Sequence, residues 1–328
     1  MKRALVAMLA VLTASAPLAA TAATPWHETK VEVGNAPYRL GATLTMPDGK
    51  GPSPAVVLVS GSGPNDRDET IGPNKPFLDI AHGLAAHGIA VLRYDKRTKT
   101  YPQAFIGKPF TIDDEYTGDA ISAVKVLQAT NGVDPKRVFV LGHSQGAQMA
   151  PRIAQRDPSI AGLILIGAPA QPLLAAMHRQ LEYLAGIDQQ HAAQLRQQAA
   201  MVEAARTQLA HLDPKHPDAP GPLGLPTSYW LSLREYNAIA VAKTLKQPML
   251  ILQGGRDYQV TPRDDFSHWQ AAFSQTPRVT LKEYPMLSHL MMPAGNPPSP
   301  SDYAKPGHVD PQVIDDIATW IEAQKPRP

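Results

Sequence analysis

The chain has 328 residues, with 31 Lys and Arg against 29 Asp and Glu, and no cysteine. So even a charge balance argues against nucleic acid or another polyanion as partner, and without cysteine no disulfide can hold the fold. The length suits one large α/β domain with its own core.

Lys2 and Arg3, the apolar run at 4–12 and the small residues at 13–23 have the three-part form of a signal peptide, with cleavage expected after Ala23. Removing those two bases and no acid takes the formal charge from +2 to zero. The apolar run is too short to span a bilayer, and no Cys follows it to carry a lipid. We therefore expect a secreted, periplasmic protein without a membrane anchor, whose mature domain covers residues 24–328.

Residues 29–33 and 39–45 alternate apolar and polar side chains around Gly34-Asn35-Ala36-Pro37, which predicts an antiparallel hairpin. Continuous apolar runs follow at 55–59, 89–94, 138–141, 163–166 and 249–252, with a less pure one at 279–284. Such runs predict strands covered on both faces. Helical patterns fall between them at 76–87, 113–130, 145–156, 264–274 and 311–323. Strands alternating with helices give a doubly wound, mostly parallel sheet. Residues 170–246 break the rhythm. They hold no convincing strand, while Leu173, Leu174, Met177, Leu181 and Leu184 recur at helical spacing. A connection of that length in a compact domain carries function, and we read it as a helical cap over the C-terminal edge of the sheet. A helical pair packed on the flank is the alternative.

Gly142-His143-Ser144-Gln145-Gly146 directly follows the apolar run ending at Leu141 and leads into small residues. A strand, G-x-S-x-G and a helix in that order form a nucleophile elbow, in which the glycines let the backbone crowd and the turn lifts the serine clear of the sheet. An attacking serine needs a base to take its proton and a carboxylate to orient that base. Asp257 follows the strand at 249–252 and His289 the strand at 279–284, which gives the order Ser144, Asp257, His289. Asp264 and Asp265 are expected to cap the next helix, His268 to lie on the surface of that helix, His308 to sit in the proline-rich tail, and His143 to pack in the turn. The oxyanion donors are expected to be the backbone amides of Gln145 and Ser62, the latter in Ser60-Gly61-Ser62-Gly63-Pro64. No dinucleotide fingerprint and no metal-ligand spacing is present, so neither a cofactor nor a metal is expected. The clusters Asp66-Arg67-Asp68 and Asp95-Lys96-Arg97 are expected to pair with each other and fix the oxyanion loop. Substrate-entrance charge is the other reading. Tyr229, Trp230 and Tyr236, with Met286 and Leu287, form an acyl or alcohol pocket in one reading and structural core in the other.

As a set, residues 60–68 (SGSGPNDRD), 93–97 (RYDKR), 142–146 (GHSQG), 252–257 (LQGGRD) and His289 resemble the EstD-type bacterial carboxylesterases. That group lies in the α/β-hydrolase superfamily, near the cinnamoyl-esterase and serine-aminopeptidase-like branches. The resemblance runs from about Val31 to Trp320. It implies the α/β-hydrolase fold, with Ser144 as nucleophile, Asp257 as acid and His289 as base. A separate N-terminal domain, present ahead of the core in some relatives, is not expected here. The expected activity is hydrolysis of small-molecule carboxylic esters. A peptidase or amidase of the serine-aminopeptidase type is the alternative, and a binding protein that has lost catalysis is the third reading.

Overall fold

A computed structural model describes residues 25–49 and 51–326. The signal-peptide reading falls on residues 1–23 and so lies outside the described residues.

The frame is an eight-stranded sheet in the order β1-β2-β4-β3-β5-β6-β7-β8. Its strands are β1 (Trp26–Val33), β2 (Leu40–Pro47), β3 (Ser53–Val59), β4 (Ala90–Tyr94), β5 (Val133–His143), β6 (Leu163–Ile166), β7 (Met249–Gly254) and β8 (Val279–Tyr284). The β1–β2 hairpin closes on the pair Val33–Leu40, and β2 runs antiparallel to β4. From β4 to β8 every pairing is parallel. This is the doubly wound, mostly parallel sheet that the continuous apolar runs imply, and the physical reason is visible residue by residue. In β3, Ala55, Val57 and Val59 enter one core while Val56 and Leu58 enter the other. In β7, Met249 and Ile251 face the first core, and Leu250 and Leu252 the second. A strand that buries both faces cannot alternate with polar residues. The outer strand β1 is mostly exposed and carries Glu28, Lys30 and Glu32, charges that discourage edge-to-edge pairing with another chain.

Two helices cover the second face. Helix α1 (Pro76–Ala86) starts with Pro at its first turn, where a missing N–H costs nothing, and buries Phe77, Ile80, Ala81, Leu84 and Ala85. Helix α10 (Pro311–Glu322) is capped by the Asp310 side chain, which accepts from the Gln312 amide, and buries Val313, Ile314, Ile317 and Ile321. The other face carries α3 (Gly118–Gln128), α4 (Gln145–Arg156) and α9 (Ser267–Phe273). A short turn of helix, α2 (Arg97–Thr100), follows β4.

Between β6 and β7 the chain forms α5 (Leu173–Ile187), α6 (Ala192–Leu209), α7 (Thr227–Arg234) and α8 (Ala238–Thr244). Helices α5 and α6 pack together, and α8 lies on α4. The block is seated by Asp265, which is fully buried. Its carboxylate accepts from the amides of Ala170 (2.9 Å), Gln171 (3.1 Å) and Thr261 (3.0 Å), and pairs with Arg179 at 2.7 Å. The helix cap expected from Asp264 and Asp265 is made instead by Thr261, whose hydroxyl accepts from the Asp264 amide. Asp265 turns inward because three backbone donors and an arginine converge on it.

The glycines of the elbow separate backbone contact from open space. A Cβ on Gly146 would stand 2.2 Å from the Val59 carbonyl oxygen, whereas one on Gly186, in the exposed end of α5, would meet nothing within 4 Å. Gly146→Ala is expected to cost about 3 kcal/mol or to prevent soluble expression, and Gly186→Ala to gain about 0.5–1 kcal/mol. Urea denaturation of both variants checks this, and equal midpoints would contradict it.

Candidate active site

Strand β5 ends at His143, and Ser144 stands alone between it and α4 with φ 54° and ψ −123°. A positive φ is strained for a residue with a side chain, and such strain persists only where the surroundings over-determine it. Here they do. The Ser144 amide donates to the Ile166 carbonyl at 2.9 Å, and a Cβ on Gly142 would come 2.3 Å from the Gly146 carbonyl oxygen. The turn leaves Ser144 half-buried at the head of α4. Gln145 occupies the first turn of that helix, where amides have no intrahelical acceptor and the dipole favours negative charge.

Asp257 follows β7 through Gly254 and Gly255, both pressed against the backbone of 285–288. One carboxylate oxygen of Asp257 accepts from the amides of Gln259 (2.8 Å) and Val260 (2.9 Å), and the other meets His289 Nδ1 at 2.6 Å. The Asp257 side chain is 0% exposed and that of His289 4%. A carboxylate only accepts, so the proton sits on Nδ1 and leaves Nε2 as the basic nitrogen. Gly167, at φ +55°, supplies the space: a Cβ there would stand 3.0 Å from His289 Nδ1. The structure thus places Ser144, Asp257 and His289 just beyond the C-terminal ends of β5, β7 and β8.

Behind them lies a polar layer. Both ring nitrogens of His143 face oxygen acceptors, Nδ1 the Glu69 carboxylate at 2.9 Å and Nε2 the His289 carbonyl at 2.9 Å. A neutral imidazole carries one N–H, so both contacts are satisfied only by the imidazolium. Burial by itself lowers the pKa of this ring, but the Glu69 charge and hydrogen bond, the His289 carbonyl and Asp257 outweigh it and raise the value above the ordinary one. The other Glu69 oxygen accepts from the Gly61 amide at 2.6 Å. His143 is therefore more than turn packing, because it joins the elbow, the histidine loop and, through Glu69, the loop after β3.

Ser62 is exposed, and Gln145 is buried, with its side chain reaching Tyr116 at 2.9 Å and Tyr229 at 3.0 Å. The charged clusters pair among themselves and with the frame. Arg67 holds Asp95 at 2.5 Å, Arg93 reaches Glu28 at 2.5 Å and also pairs with Asp68, and Lys96 meets Glu115 at 2.7 Å. His82 stacks on Trp26, while His268 and His308 are exposed. Glu69, Glu115 and Tyr116 carry no local signal of their role, since their partners lie 8 to 74 residues away in sequence, beyond helical or strand spacing.

Tyr229, Trp230 and Tyr236 are all buried. Trp230 and Tyr236 line a cavity of about 280 Å³ with Leu174, Leu209 and Leu233, bordered by Gln148 one helical turn beyond Ser144. Neither Ser144 nor His289 lines it. Met286 is 55% exposed, and Leu287 packs in the core beneath the opposite face of the sheet, so neither joins Tyr229, Trp230 and Tyr236. Among the described residues no group of His, Cys, Asp or Glu is arranged to hold a metal, and no helix is long and apolar enough to cross a membrane.

This sheet order, with a serine elbow after β5 and an Asp–His pair after β7 and β8, defines an α/β-hydrolase. The model of the serine aminopeptidase S33 family matches residues 74–293, and the chain belongs to that family. It is 44% identical over 283 residues to esterase EstD of Thermotoga maritima, a match that covers 86% of this chain and 65% of that relative's length. Est1E from Butyrivibrio proteoclasticus shares the fold at 18% identity, with a TM-score of 0.56 over 90% of this chain and 99% of that one. The acylaminoacyl peptidase of Pyrococcus horikoshii does so at 12% identity, with a TM-score of 0.56 over 92% of this chain and 42% of that one.

Because the folded-state pKa of His143 is raised, its stabilisation is full below the ordinary imidazole value of 6.5 and is lost as pH rises through the raised value. The double variant His143→Gln/Glu69→Gln removes the ring and the charge facing it. Its melting temperature is expected to lie furthest below wild type near about pH 6 and to approach it at alkaline pH. A gap that widens with pH in scanning calorimetry contradicts the charged assignment.

Proposed function

We propose that this chain hydrolyses small-molecule carboxylic esters through an acyl-enzyme on Ser144. The observation that carries the reading is the 2.6 Å contact between Asp257 and His289 Nδ1, which leaves Nε2 basic at the sheet edge where the serine elbow emerges. The Ser144 hydroxyl attacks the ester carbonyl and gives its proton to His289 Nε2, while Asp257 stabilises the imidazolium. The amides of Ser62 and Gln145 receive the oxyanion. Collapse expels the alcohol, which takes the proton from His289. Water then gives a proton to the same nitrogen and attacks the acyl carbon, and the acid leaves as Ser144 recovers its proton.

The esterase name of the 44% identical relative supports ester over amide. The family's description as a serine aminopeptidase supports the second reading, hydrolysis of aminoacyl amides by the same groups. The charged, apolar and small-residue segments of the first 23 residues support export to the periplasm in either case.

Initial rates on p-nitrophenyl esters of increasing acyl length, beside aminoacyl p-nitroanilides, test the proposal. Ester turnover is expected in the wild type, and Ser144→Ala is expected to lower kcat by at least roughly 10⁴-fold while the fold persists. Turnover of anilides alone moves the chain to the peptidases, and ester turnover retained in Ser144→Ala sinks the mechanism.

A further inference from the structure

Beneath the oxyanion loop lies a lysine for which the proposed chemistry has no step. Lys96, just beyond β4, is 3% exposed. Its ammonium meets the Gly61 carbonyl oxygen at 2.9 Å, Tyr116 Oη at 2.7 Å and Glu115 Oε1 at 2.7 Å. An ammonium has three N–H donors, so one is directed to each acceptor. Tyr116 Oη in turn lies 3.1 Å from the Gly61 oxygen and 2.9 Å from Gln145 Oε1, and Asn65 Nδ2 donates to the same Gly61 oxygen at 3.1 Å.

Gly61 is therefore fixed at both ends, its amide by Glu69 at 2.6 Å and its carbonyl by Lys96, Tyr116 and Asn65. The Gly61–Ser62 peptide is trans, so the Ser62 N–H points opposite to the Gly61 oxygen and away from Lys96. Gly61 itself lies against the nucleophile, for a Cβ on it would stand 3.0 Å from Ser144 Cβ. A cation at hydrogen-bond distance from a peptide oxygen polarises that peptide and strengthens its N–H as a donor, the more so in a buried site.

Burial lowers the pKa of Lys96 against the opposing charges of Glu115 and Glu69, so holding an ammonium here costs free energy. Buried ion pairs are commonly replaceable by apolar side chains without loss of stability, so space-filling does not explain this one.

We propose that Lys96 is a positioning residue. Its charge holds the Gly61–Ser62 peptide with the Ser62 N–H turned to the Ser144 side and polarises that donor, without Lys96 touching substrate. The inference rests on the Ser144 acyl-enzyme reading and the oxyanion donors assigned with it.

Lys96→Met alone would strand a buried carboxylate, so the test uses Lys96→Met/Glu115→Gln, with Lys96→Gln/Glu115→Gln held ready if the first does not fold. Near-ultraviolet circular dichroism and the melting temperature establish the folded state. Two rates are then measured: turnover of p-nitrophenyl acetate, and phosphonylation of Ser144 by a p-nitrophenyl alkylphosphonate, which also builds charge in the oxyanion site. The proposal predicts a kcat lower by roughly 10- to 100-fold, KM changed by less than about threefold, and phosphonylation slowed in parallel. A folded variant with wild-type kcat and phosphonylation overturns it, as does a loss confined to KM. Phosphonylation does not depend on the ester reading. A wild type that is phosphonylated yet hydrolyses no ester refutes the ester assignment, and the ratio of phosphonylation rates still decides the role of Lys96.

Discussion

Everything at the site depends on how closely three pieces of backbone approach one another at the elbow. The Gly146 Cα sits where a Cβ would meet the Val59 and Ser60 carbonyl oxygens, and Gly142 is equally tight against Gly146. That contact forces the first turn of α4 onto the end of β3, and so sets the serine beside the loop that follows β3. Ser144 bears the strain as a positive φ. The strain is tolerated because the flanking strands are buried on both faces and cannot give way. A side chain at either glycine would push the first turn of α4 off the end of β3 and so move Ser144 away from the loop that follows β3.

Around this contact the fold places charges where charges are usually excluded. His143 with Glu69, Lys96 with Glu115 and Arg97 with Asp119 are largely buried pairs, each joining segments distant in sequence. Pairs of this kind add little net stability, since desolvation offsets most of the attraction. Their value lies in geometry, because a loop tied by a directional, charge-assisted bond has one low-energy position. Glu69 shows this most directly. Its two oxygens hold the Gly61 amide and the His143 ring, and His143 holds the carbonyl of His289. One carboxylate thereby aligns the loop after β3, the elbow and the histidine loop. The helical block between β6 and β7 is seated in the same manner by Asp265, which gathers the Ala170 and Gln171 amides, the Thr261 amide and Arg179.

The legible part of this in the sequence was the part with local periodicity. Strands buried on both faces announce themselves as unbroken apolar runs, and the G-x-S-x-G elbow announces itself by its glycines. Asp257 could be placed because it lies in the loop after such a run, and His289 because it lies in the loop after the less apolar strand β8. The polar layer was not legible. Glu69 and Tyr116 stand out by nothing in the sequence, and His143 reads as a turn residue. Their meaning comes from partners across the sheet, which no local pattern encodes. Met286 and Leu287 show the converse: sequence proximity to His289 does not bring them to Tyr229, Trp230 and Tyr236, because the histidine loop turns Leu287 into the core beneath the other face and leaves Met286 in solvent.

The central claim is that Ser144 is the covalent centre of the site. Rapid acid quench during turnover of a p-nitrophenyl ester, followed by intact-mass and peptide mass spectrometry, tests it most directly. The account predicts one acyl group per chain, carried on the peptide containing Ser144 and absent from Ser144→Ala. An acyl group on another residue, or steady turnover with no acylated species at any quench time, would contradict it.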